Sequence, residues 1–199
     1  MPTEQALALI RDAQLSKHQY EAFRNAVKDF EYDILPPYYK VFIAKKECYP
    51  DKMVITERSA RVDLQCLVDH TAKRILEDID IDVEDNTELL LVSKWGCDGA
   101  FGQSEYNQKY VRGDNQETSD SSIYMVSMVP LLFRTGFDST IWNNDLPSST
   151  RWCRPIYFEF VKESAEKVFD VSNKITNKIS QLKKTEVTIS GKIALLNTT

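Results

Sequence analysis

Glu88-Leu89-Leu90-Leu91-Val92-Ser93-Lys94-Trp95-Gly96-Cys97-Asp98, with Gly99 directly behind it, is the stretch on which the reading of the fold turns. Leu89 to Val92 form a short apolar run that Lys94 interrupts. Three of the chain's six glycines, Gly96, Gly99 and Gly102, then follow within seven residues. A short apolar run bounded by polar residues reads as a strand buried on both faces. Glycines at its C-terminal end let the backbone turn sharply or approach a ligand closely. Asp98 at that end has two readings. It starts the Asp-Gly turn of a loop, or it is the strand-end carboxylate that holds a divalent cation in a phosphoryl-transfer site.

The surroundings bound both readings. A chain of 199 residues fits one domain of ordinary size or a domain with a small appendage. With 42% apolar residues and 11% aromatics it can fill a core. A formal charge of −5 argues against wrapping nucleic acid by net attraction but leaves room for local basic patches. Cys48, Cys66, Cys97 and Cys153 form no CxxC pair, so neither a zinc site nor a disulfide framework is expected. No signal-peptide core or membrane-length apolar run is visible, which predicts a soluble intracellular chain without membrane contact.

Two helices are predicted within residues 3–30. Ser16 and Gln19 form a capping box between them, with Leu15 and Tyr20 as a hydrophobic staple. Such a hairpin suits DNA reading and equally suits plain helix packing. Leu35-Pro36-Pro37 stops the second helix. Tyr38 to Pro50 interleaves Lys40, Lys45 and Lys46 with aromatics, as a nucleic-acid contact or a solvated face would. Met53 to Thr56 reads as a short strand. Asp63 caps a helix whose stripe is Leu64, Leu67, Val68, Thr71, Ile75 and Leu76. His18 and His70 read as surface or packing residues. The acidic run of residues 77–88 is read as a solvated linker.

Beyond the opening stretch, residues 103–122 read as a long loop. Ile123 to Phe133 is a second strand, limited by Pro130. Pro155 to Val161 is a third, and Trp142 and Trp152 are packing aromatics in the loop before it. A helix over residues 163–182 with Ser164 as cap precedes a hairpin, Thr185 to Ile189 and Lys192 to Leu196, around Ser190-Gly191. The predicted class is α+β, with a helical pre-catalytic region over 1–80. Three strands, a helix and a hairpin over 88–199 then make the first half of a ribonuclease-H-like mixed sheet.

Six strings sharpen this. LSKHQY (15–20), PPYYKV (36–41), AKKECYP (44–50), LVDHTAKRIL (67–76), KWGCDGAFGQSEYNQK (94–109) and PSSTRWCRPI (147–156) together resemble one family. It is the Transib transposases and their domesticated relative, the V(D)J recombination-activating protein 1 catalytic core. The resemblance implies metal-dependent DNA cleavage and strand transfer by three carboxylates holding Mg²⁺ or Mn²⁺. It makes Asp98 the first of them and Glu163 an auxiliary metal carboxylate; by itself, Glu163 reads as a first-turn helix residue. The family's second aspartate follows a fourth strand expected to begin about where this chain stops, and the final glutamate lies further on. The implied site is therefore incomplete and the chain inactive alone. DNA is the implied partner and the nucleus the implied location; Lys94, Lys109, Arg112, Arg151 and Arg154, which flank Asp98 or the entry to the third strand, are candidate backbone contacts and by themselves read equally as plain surface residues. No small-molecule cofactor is implied. The alternative is a non-enzymatic, domesticated interaction module that binds a partner, a second copy or a full-length relative through an open edge left by the third strand.

Overall fold

The structure is a computed structural model and describes residues 1–30, 33–79, 81, 84–102, 122–136, 139–189 and 191–198. Two compact units divide the chain, Met1–Pro50 and Asp51–Thr199.

The first unit holds three helices, α1 (Thr3–Asp12), α2 (Lys17–Asp29) and α3 (Tyr38–Glu47). The capping box is formed: Gln19 N donates to Ser16 Oγ at 3.3 Å and Ser16 N to Gln19 Oε1 at 2.8 Å. Tyr20 is fully buried with Ala6, Leu35 and Val41, and its hydroxyl donates to Pro36 O at 2.8 Å. The two prolines thus end one helix and lead into the next, where a missing N–H costs nothing. The basic and aromatic stretch from Tyr38 is this third helix. It turns only Val41 and Ala44 fully inward, which is why no stripe marks it in the sequence.

The second unit begins with β1 (Met53–Ile55), β2 (Ser59–Val62) and α4 (Leu64–Asp78), capped by Asp63, which accepts from Cys66 N. Next come β3 (Glu88–Phe101), β4 (Ser122–Thr135), β5 (Thr140–Asn143) and β6 (Arg154–Glu159). Then α5 (Ala165–Ser180), β7 (Thr185–Ile189) and β8 (Lys192–Thr198) complete it. The expected boundary within the acidic run is displaced: α4 shares one core with the sheet, and the division falls at Pro50. The described acidic residues of the run are exposed, as a solvated linker would be, but the run is also tied to β8. Asp85 Oδ1 accepts from Ile193 N at 3.1 Å, and Asn86 N donates to Ile193 O at 2.7 Å.

The mixed sheet has the order β1-β2-β6-β4-β3-β8-β7, with β5 also on β4. Every pairing is antiparallel except β3 with β8, which is parallel. Strand β6 lies between β2 and β4, so the open edge expected at the third strand is not there; β1 and β7 are the edges. Strand β3 alternates rather than being buried on both faces: Leu89 and Leu91 are fully buried, Leu90 and Val92 half-buried. The odd-numbered face of β3 packs with Tyr124, Val126 and Phe133 of β4. Leu67, Val68 and Ile75 of α4 and Val171 and Ile175 of α5 cover them.

Pro130 does not end β4. The strand continues to Thr135 by skipping one position, since Pro130 pairs with Ser93 and Leu132 with Val92. Here β4 exchanges β6 for β5 as its outer neighbour, so the missing proline donor deprives no ladder. Buried Asn144 closes the bulge: its side chain donates to Pro130 O at 2.8 Å and its backbone N–H to Leu131 O at 2.8 Å. Asn144→Ala is expected to leave that buried carbonyl unpaired and to cost about 1–3 kcal/mol. A urea midpoint unchanged from wild type would refute this role.

Candidate functional site at the central strand

Asp98 sits inside β3, three residues before its end, paired with Met125. Gly99 pairs with Tyr124 in the same ladder, so the Asp-Gly turn does not exist. The backbone leaves the extended region only at Gly102, with φ +81°. Small residues in an antiparallel ladder flanked by long β4 side chains remain strand, because pairing with the neighbouring strand outweighs glycine's entropy.

Alternation then assigns faces. Asp98 is exposed on the even-numbered side together with Lys94, about 13 Å away along the strand. Glu163, just before α5, lies over the other side: a Cβ on Gly99 would meet Glu163 Oε2 at 2.5 Å and Glu163 Cβ at 2.7 Å. The two carboxylates named from the sequence therefore lie on opposite faces of β3. Arg154 pairs with Met128, itself opposite Trp95, which puts it on the helix-covered face and about 14 Å from Asp98. Arg151 is exposed on a 3-10 turn, Thr150–Trp152. Lys109 and Arg112 lie outside the described residues. Among the described residues no group of three His, Cys, Asp or Glu side chains is arranged to hold a metal ion. A two-cation site needs several such ligands.

A polar cluster that sequence reading missed occupies the helix-covered face. Tyr157 of β6 donates its hydroxyl to Glu159, and Lys167 of α5 reaches Glu159 Oε2 at 2.5 Å and the Tyr157 hydroxyl at 3.3 Å. Strand β6 supplies two members at i and i+2, and Ser164, accepting from Lys167 N, starts the helix that supplies the third. Burial raises the Glu159 carboxyl, but the Lys167 ammonium and the Tyr157 hydroxyl outweigh it and hold it below the usual carboxylate range. Burial and then the Glu159 carboxylate push Tyr157 upward. Neighbouring Tyr124 is fully buried. Burial and then the Cys97 thiol keep that phenol neutral far above its ordinary range. Such a cluster orders the junction of β6 and α5. Its signal in the sequence is only the short spacing Tyr157-x-Glu159 followed by Lys167.

Compared with known proteins, the chain matches no family model, and no curated protein gives a significant match.

Two outcomes follow from this geometry. Gly99→Ala is expected to destabilise by about 1–3 kcal/mol by driving a Cβ into Glu163. Glu163→Gly in the same chain is expected to reduce the penalty, and a neutral Gly99→Ala in calorimetry would contradict the close approach. Glu159 has a depressed folded-state pKa, so its stabilisation is present above the unfolded value near about 4.3 and lost as pH falls through the folded value. Glu159→Gln should therefore show a smaller loss of urea resistance between neutral and strongly acidic pH than wild type. An equal loss would remove the cluster from the account of acid unfolding.

Proposed function

We propose that the second unit is the opening part of a ribonuclease-H-like core of the Transib transposase kind, associated with DNA and without turnover as the chain described here. One observation carries the reading. Strands β3, β4 and β6 form an antiparallel meander with Asp98 on its first member, α5 crosses over, and β8 lies parallel beside β3. On this reading β8 takes the place of the fourth core strand, which the resemblance alone put about where the chain stops. Its register sets Leu195 beside Glu88 and Thr198 beside Leu91, so a continuation of β8 would advance along β3 toward Asp98. That is where a second carboxylate completing a cation site would have to arrive. Lys94, on the same face as Asp98, would meet DNA phosphate rather than metal.

A second reading, an interaction module, is favoured by the edge strand β1. Met53, Val54 and Ile55 are all exposed there, at 41%, 44% and 71%. Among the described residues no helix is long and apolar enough to cross a membrane.

The test is incubation of the purified chain with Mn²⁺ and supercoiled plasmid, beside a mobility-shift titration at low and moderate salt. Salt-sensitive DNA binding without nicking is expected. Nicking that disappears in Asp98→Asn would overturn the incompleteness. Absence of any shift at low salt would overturn the DNA association and favour the interaction module.

A further inference from the structure

Strands β1 and β7 are the two edges of the sheet among the described residues, and only one of them is guarded. Strand β7 carries exposed Glu186 within it and Lys183 and Lys184 directly before it, charges that oppose an added strand. Strand β1 carries no charge, and its Met53, Val54 and Ile55 are all exposed. Two of its three residues also turn their backbone outward. Thr56 N donates to Ser59 O at 2.8 Å, so alternation directs the N–H and C=O of Val54 to Arg61 of β2 and those of Met53 and Ile55 away from the sheet.

The register carries this apolar edge inward. Ile55 pairs with Ala60, Ala60 with Phe158 and Phe158 with Met125, so the four side chains form one row across β1, β2, β6 and β4. The row lies on the face opposite Tyr157, away from the covering helices, and Phe158 is 38% exposed in it.

The charges that flank β1 say what strand would fit there. Asp51 and Lys52 precede it, and Glu57 and Arg58 follow it in the turn to β2. The order is acid, base, apolar strand, acid, base. Laid antiparallel against itself, this order brings each base alongside an acid: Lys52 with Glu57 and Asp51 with Arg58, each twice by symmetry. A parallel copy would instead set Asp51 against Asp51 and Glu57 against Glu57. With Val54 at the two-fold centre, Met53 of one copy faces Ile55 of the other, and those are the residues whose backbone groups point outward.

We propose that a second copy of this chain docks on β1, antiparallel about Val54, with Met53 and Ile55 exchanging backbone hydrogen bonds and Lys52 meeting Glu57 of the other copy. This rests on the interaction-module reading above and names its partner. It leaves the Asp98 face open, since Asp98 pairs with Met125 four strand spacings, about 19 Å, in from Ile55. Three strand residues a side fall well short of the roughly 20–30 of a permanent interface, so the pairing is weak and depends on concentration and salt.

Sedimentation velocity of the full chain from about 10 μM to about 1 mM, at low and moderate salt, reads the association. A monomer–dimer equilibrium is expected, weakened about tenfold or more by Ile55→Lys, a position 71% exposed and so of little weight in folding. Lys52→Glu and Glu57→Lys should each weaken it as well, because each sets like charges together at both ends of the joint. An equimolar mixture of those two variants should dimerise again, since acids at both positions of one chain then face bases at both positions of the other. Circular dichroism checks that each variant folds. A chain monomeric throughout would overturn the second copy as occupant and leave the interaction module to a different partner. A dimer indifferent to Ile55→Lys would overturn β1 as the surface, and a mixture no more dimeric than its two components would overturn the antiparallel arrangement. The DNA mobility shift bears on none of these outcomes.

Discussion

The long antiparallel pairing of β3 with β4 is the constraint on which the rest of the second unit depends. It runs from Leu89 opposite Thr135 to Phe101 opposite Ser122 and contributes Leu89, Leu91, Tyr124, Val126 and Phe133, all fully buried, to a single core. Side chains on one face of such a ladder must be buried together or not at all, because a slip of one residue would carry the whole set to the other face. Helices α4 and α5 then cover that face, and β6 and β8 extend the ladder on either side. The first unit depends on a smaller constraint, Tyr20 buried and hydrogen-bonded to the proline segment that links α2 to α3.

The same pairing decides what the candidate residues can do together. Because β3 stays extended through Gly96 and Gly99, Asp98 and Lys94 share one face, while Glu163 and Arg154 are brought to the other. On the function proposed above, cation chemistry would belong to the Asp98 face. The helix-covered face holds the Tyr157, Glu159 and Lys167 network.

Features set by neighbouring residues are legible in the sequence. The Ser16–Gln19 capping box, the Asp63 and Ser164 caps and the β7–β8 hairpin with Gly191 at φ +84° stand where their local patterns put them. What depends on distant partners is not legible. Strand β2 is four residues long, contains Arg61, and exists because β1 and β6 flank it. Glycine content suggests that β3 stops at Asp98, whereas β4 extends it to Phe101. An acidic composition suggests a linker, whereas Asp85 and Asn86 bond to β8. For the site, the position of Asp98 along a strand is readable, but its face and its separation from Glu163 require register.

The central claim is the parallel placement of β8 beside the strand that carries Asp98. Proton–proton cross-peaks between strands in a nuclear magnetic resonance experiment test it most directly. The account predicts contacts linking Glu88 with Leu195 and Leu91 with Thr198, in the same direction along both strands. Contacts linking Glu88 with Thr198 and Leu91 with Leu195, or β8 with β6 in place of β3, would contradict it.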